Sequence, residues 1–64
     1  MLVNGKEIIL EQPQSLESFL LEHNYKPALV AVELNGNIVK QKVFSSTTIT
    51  AADTLEIVSF VGGG

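Results

Sequence analysis

Among the groups in this 64-residue chain that could take part in chemistry, the most unusual is a main-chain one. It is the α-carboxylate of Gly64, carried at the end of Phe60-Val61-Gly62-Gly63-Gly64. Glycine packs nothing and loses the most backbone entropy on ordering, so it is a poor way to finish a folded domain. It suits a tail that a partner must take in, because a segment without Cβ atoms passes through a narrow channel. Three extended residues reach roughly 10 Å, at about 3.3–3.6 Å each. That span carries a carboxylate from a domain surface into a partner's active site. An unstructured terminus also contains glycines, and on the tail alone that blander reading stands first.

Other residue types offer less. Without cysteine the chain has no thiol for redox work, persulfide storage or thioester formation, and neither disulfides nor a thiolate metal site can support its fold. Its single histidine, His23, argues against a dedicated metal site or a Ser-His-Asp arrangement and is better read as a helix-end residue. The run Ser45 to Thr48 lacks the glycines and lysine of a phosphate-binding loop. Seven acidic residues stand against Lys6, Lys26, Lys40 and Lys42, for a net charge of −3. With no arginine and no basic cluster, nothing supplies the counterion displacement that nucleic-acid binding leans on. The apolar runs are far too short to span a bilayer, and Met1-Leu2-Val3-Asn4-Gly5 lacks a signal pattern. The expectation is a cytoplasmic protein, monomeric when free, with no bound metal or cofactor.

The elements that must position Gly64 are read from turn residues and periodicity. Leu2-Val3 and Lys6 to Leu10 flank Asn4-Gly5, a pair suited to a type I′ turn because both central positions need positive φ. Ile8 and Leu10 share one strand face, with Lys6 as its wet end, and Pro13 breaks the strand. Ser15 reads as the N-cap of a helix of about two and a half turns, with Glu17 near its positive end. Leu16, Phe19 and Leu20 form its apolar stripe and His23 follows on the same side. Asn24 suits a left-handed C-cap, and Pro27 closes the helix. So short a helix needs a sheet to dock on.

Leu29 to Leu34 forms the next strand, with Val30, Val32 and Leu34 alternating against Ala31 and Glu33. Asn35-Gly36 turns the chain into Ile38-Val39-Lys40. Val43 to Thr50 reads as a loop or short edge strand from which Val43, Phe44 and Ile49 reach the core. After a turn at Ala51 to Thr54, the last strand runs from Leu55 to Val61. The class is α+β: a ubiquitin-like β-grasp, with a mixed four- or five-stranded sheet packed on one short helix and the last strand parallel to the first at the sheet centre. Residues 1–61 make the domain and 62–64 a flexible C-terminal glycine tail. If Leu55 and Ile57 face the helix, Val58 and Phe60 face away, uncovered, just upstream of the glycines. With Val61 they are the expected partner-docking residues; the competing reading folds Phe60 back over the sheet end.

The element order, the two Asn-Gly hairpins, the stretch Asp53-Thr54-Leu55-Glu56-Ile57-Val58 and the terminal Gly63-Gly64 resemble the ubiquitin-like sulfur carriers. The short chain and the ending Val61-Gly62-Gly63-Gly64 are most similar to the sulfur carrier family of thiamine (thiazole) biosynthesis, the ThiS family. The resemblance covers the whole chain, though only the diglycine end is motif-like.

That resemblance implies a cycle on Gly64. An alkyl carboxylate with a pKa of about 3.3–3.7 is ionised at neutral pH and a poor electrophile. An E1-like adenylating enzyme would use ATP to convert it to an acyl-adenylate. A sulfur donor, such as a cysteine desulfurase persulfide, would displace AMP and leave a thiocarboxylate for thiazole synthase. Gly62 and Gly63 would thread the enzymes' channels. This chain would be a carrier and co-substrate rather than an enzyme.

Three alternatives stay open. A molybdopterin synthase small subunit would use the same thiocarboxylate, but that family usually has a longer chain. A ubiquitin-like protein modifier would carry basic residues ahead of its diglycine, where Ser59, Phe60 and Val61 are uncharged here. The last is a β-grasp binding module with incidental glycines.

Overall fold

The computed structural model describes residues 1–60. Two Asn-Gly pairs set its hairpins. Asn4 and Gly5 have φ of 51° and 83°, and Asn35 and Gly36 have 53° and 86°. These left-handed values match a turn whose twist suits the strands on either side. The first turn joins β1 (Leu2–Val3) to β2 (Lys6–Glu7), and the second joins β4 (Val30–Leu34) to β5 (Asn37–Val39). The five-stranded sheet has the order β2-β1-β7-β4-β5, with β7 (Thr54–Ser59) at its centre. Strand β7 runs parallel to β1, with Val3 opposite Leu55, and antiparallel to β4, with Val32 opposite Ile57. Last strand beside first, at the centre of a mixed sheet, is the β-grasp arrangement.

The helix α1 spans Leu16–Glu22, two turns rather than two and a half. The Ser15 hydroxyl caps it by accepting the Ser18 N–H at 3.0 Å, and Asn24, at φ 66°, supplies the left-handed exit. Leu16, Phe19 and Leu20 are buried against Val3, Val30, Val32, Leu55 and Ile57. Burying such side chains contributes about 1.5–3 kcal/mol each, and this stripe is what holds a helix too short to persist alone.

Several expectations are corrected. The second strand covers only Lys6–Glu7, because its ladder ends where Ile8 N–H meets the Met1 carbonyl at 2.8 Å. Ile8 and Leu10 still pack against the core as a half-buried pair, while Ile9 is exposed. Pro13 lies in the expected break between strands, which ends one residue earlier than expected. Strand β3 (Gln14–Ser15) follows it at once and pairs antiparallel with β6 (Thr48–Ile49) in a small second sheet. Leu29 lies in a 3-10 turn, Pro27–Leu29, ahead of β4.

The segment Gln41–Ser46 is also 3-10 helical, a form that the period-2 reading could not register. It buries Phe44 and leads to buried Ile49, but leaves Val43 37% exposed. A tight helical turn cannot send the adjacent Val43 and Phe44 into the same core. The final strand stops at Ser59 rather than Val61, which lies outside the described residues.

Candidate functional site: the open sheet face

Strand β7 divides its side chains between two environments. Leu55 and Ile57 are buried under α1, whereas Glu56, Val58 and Phe60 point to the uncovered face. Val58 is 62% and Phe60 63% exposed, so the aromatic ring does not fold back over the sheet end. The backbone there is held nonetheless: Phe60 N–H donates to the Leu29 carbonyl at 2.8 Å. A fixed main chain thus displays an uncovered ring. Of the expected docking residues, the structure brings Val58 and Phe60 to one face. Val61, and the expected tail residues Gly62, Gly63 and Gly64, lie outside the described residues.

Register fills in the rest of the face. Val58 lies opposite Ala31, and Glu56 opposite Glu33, which is itself opposite Ile38 on β5. The face therefore has an apolar end at Val58 and Phe60 and an acidic middle at Glu33 and Glu56. Like charges directly opposite each other on neighbouring strands are destabilising. Sequence reasoning missed this pair because cross-strand register depends on turn geometry as well as pattern.

Two asparagine clips fix β7 in place. At one end, Thr54 N–H donates to the Asn35 side-chain oxygen at 2.9 Å, and the Asn35 amide donates to Asp53 at 3.0 Å. The Asp53 carboxylate also accepts Thr50 N–H at 2.8 Å. The Asn35 bond first, and the Thr50 backbone bond after it, hold the Asp53 carboxyl below its ordinary range. On the β1 side, the Asn4 side chain bonds both peptide groups of Ile57. Sequence reasoning used Asn4 and Asn35 only as turn formers. The Asn-Gly pairs marked them, but nothing local marked the distant peptide that each one grips.

His23 plays the helix-end part expected of it. Its backbone N–H donates to the Phe19 carbonyl at 3.1 Å, Asn24 N–H donates to the Leu21 carbonyl at 3.2 Å, and the His23 ring packs on Phe19 with centroids 4.2 Å apart. An open groove of about 400 Å³ beside it, between Ile8, Leu10, Gln14 and Glu22, includes no residue of β7. Among the described residues, no three His, Asp or Glu side chains gather as a metal site requires. No helix among them is long and apolar enough to cross a membrane.

The fold has counterparts among known proteins. The family model described as "ThiS family" matches residues 1–64, the whole chain. The chain belongs to the ThiS family. Its structure is similar to the crystal structure of the thiamine biosynthesis protein ThiS of Geobacter metallireducens, with a TM-score of 0.80. That pair is 30% identical, and the match covers 98% of this chain and 96% of the other. In sequence, the chain is 32% identical over 62 residues to the uncharacterized protein ycf40 of Porphyra purpurea, covering 97% of this chain and 87% of that one. It is also 34% identical to a thiazole synthase of Paramagnetospirillum magneticum over all of its own length, which is 20% of that protein.

ThiS family membership confirms the resemblance drawn from the Asn-Gly hairpins and the diglycine end, and with it the β-grasp fold. It also supports a sulfur-carrier role for the chain.

Proposed function

We propose that this ThiS family protein carries sulfur on its C-terminus as a co-substrate of partner enzymes, for the thiazole ring of thiamine. The observation that supports this most is the pairing of Val58 and Phe60, uncovered on the sheet face, with the carboxylate that follows four residues after Phe60. The face supplies docking area, and the glycines let the carboxylate reach beyond it. Similarity to a segment of thiazole synthases favours delivery to an enzyme of that kind over a molybdopterin synthase.

In this reading an ATP-dependent adenylating enzyme joins the Gly64 carboxylate to AMP and releases pyrophosphate. A persulfide sulfur on a partner cysteine displaces AMP. A second thiol then cleaves the S–S bond, leaving a thiocarboxylate on Gly64 and a disulfide on the partner side. The activating phosphate chemistry, the persulfide and the cleaving thiol all belong to partners, since this chain has neither cysteine nor arginine. Gly62 and Gly63 serve as the segment drawn into each channel, and Val61 extends the docking surface.

Intact-mass measurement tests the proposal. The chain is incubated with ATP, the cognate adenylating enzyme, a cysteine desulfurase and cysteine. The expected outcome is the exchange of one oxygen for sulfur, localised to Gly64 by fragmentation. One residue added after Gly64 should abolish it. No exchange in the unmodified chain, or exchange that survives the added residue, rules the mechanism out. Delivery assays against thiazole synthase and molybdopterin synthase then decide the acceptor.

A further inference from the structure

The hydrogen bonds of β7 alternate in direction. Phe60 N–H donates to Leu29, and Asn35 N–H to the Thr54 carbonyl, both at 2.8 Å. Even-numbered residues of β7 therefore turn their peptide groups toward β4, and odd-numbered ones toward β1. On the β1 side, the Leu55 carbonyl accepts Asn4 N–H at 2.9 Å. Ile57 comes next, and there no backbone is left to pair with it. Strand β1 ends at Val3, and the chain turns away through Asn4 and Gly5. The Asn4 side chain substitutes, with Oδ1 accepting Ile57 N–H at 2.8 Å and Nδ2 donating to the Ile57 carbonyl at 3.2 Å.

Ser59 is the next residue in that series. It is exposed, and it faces Val30 as the non-hydrogen-bonded kind of pair, so its peptide groups point away from β4. Among the described residues, none takes up its N–H or carbonyl on the β1 side. Here the sheet's central strand becomes, over one residue, an edge strand.

We propose that this edge is a strand-addition site, where an extended main-chain segment of the enzyme that receives the tail pairs with Ser59. The proposal rests on the carrier reading above and adds how the enzyme grips the domain. The Asn4 amide is itself the evidence for fit. It is chemically a peptide group, and it sits in the ladder position next to the one left vacant. A backbone segment continuing from it meets a donor and an acceptor at ladder spacing, a recurrent mode of recognition. Main-chain pairing here fixes the direction of the chain just before Phe60 and the tail, which side-chain contacts on the open face alone do not. A second copy of this chain is the poorer occupant, because each copy carries a net charge of −3.

Ser59→Pro tests it, since proline removes an N–H that the fold does not use and is tolerated where that N–H faces outward. Binding to the adenylating enzyme is measured by calorimetry, with thermal melting as a check on folding. Ser59→Pro is expected to melt near wild type and bind about tenfold more weakly or worse, while Ser59→Ala, which keeps the N–H, binds within about twofold of wild type. A chemically synthesised chain with an ester in place of the Ser59 amide removes the donor without proline's constraint. It should lose about three- to tenfold, and it decides the matter should Ser59→Pro fail to fold. Wild-type affinity in the ester chain, or equal losses in Ser59→Ala and Ser59→Pro, overturns the proposal. So does self-association of the free chain that Ser59→Pro abolishes. If wild type forms a thiocarboxylate while the ester chain binds normally, only this inference fails. If wild type forms none, the carrier reading itself has failed.

Discussion

The side chain of Asn4 lies against the peptide of Ile57 and bonds both of its polar groups, 53 residues away in sequence. One asparagine thus makes the first hairpin turn, in left-handed conformation, and terminates the parallel ladder between the first and last strands. Its side chain adds to the backbone pairing that joins the hairpin to the sheet centre.

Removing that amide should cost stability without changing the fold. Asn4→Gly keeps the positive φ and loses two hydrogen bonds, for an expected loss of about 1–3 kcal/mol in urea denaturation. Asn4→Ala should lose about 1–2 kcal/mol more, because a Cβ disfavours the left-handed conformation. Equal losses in the two variants would mean that backbone strain plays no part at this turn.

Phe60 gives the opposite pattern. Its ring is exposed, so Phe60→Ala should change stability by no more than about 0.5 kcal/mol. If the open face docks the adenylating enzyme, the same change should weaken binding about tenfold or more, as truncating an aromatic anchor does. Val58→Asp should act similarly on affinity and add repulsion beside Glu56. Calorimetric titration of both variants checks this.

Asp53 should make the protein acid-sensitive. Its carboxyl is held below the ordinary value by Asn35 and Thr50, so the folded state binds the proton less readily than the unfolded chain does. The resulting stabilisation is complete above the unfolded pKa of about 3.9. It is lost as pH falls through the lower folded value. Asp53→Asn should therefore flatten the acid limb of a stability–pH curve while lowering stability near neutrality. Melting temperatures recorded from pH 7 down to pH 2 would show both effects.

The Glu33–Glu56 pair is a place where the free domain is not at its most stable. Glu56→Lys puts opposite charges across β4 and β7 and should raise stability by about 0.2–1 kcal/mol, less at high salt. Denaturation at two ionic strengths checks the sign and the screening.

Much of this fold was legible because its signals are local. Asn-Gly turns, the Ser15 cap and the Leu16, Phe19, Leu20 stripe each depend on a few neighbouring residues, and each stands where the pattern placed it. The alternation of Val58 and Phe60 against Leu55 and Ile57 was equally direct. Less legible was whatever depends on a distant partner. The Gln14–Ser15 pairing with Thr48–Ile49 needs a segment over thirty residues away, and Leu16 N–H reinforces it by donating to Thr47 at 2.8 Å. Phe44 was rightly expected inside and Val43 wrongly, because a 3-10 turn rather than a strand carries them. The grips of Asn4 on Ile57 and of Asn35 on Asp53 leave no periodic trace at all.

The central place of β7 also governs when the domain can form. Strands β1 and β4 meet only across β7, which comes last in sequence among the described strands. Its contacts with β1 close a loop of about fifty residues, the kind of non-local pairing that delays folding until most of the chain is present. A nascent chain short of Leu55 lacks the strand that joins the two hairpins into the five-stranded sheet. A molecule that reaches the native state has therefore been translated at least through the strand that leads to Phe60.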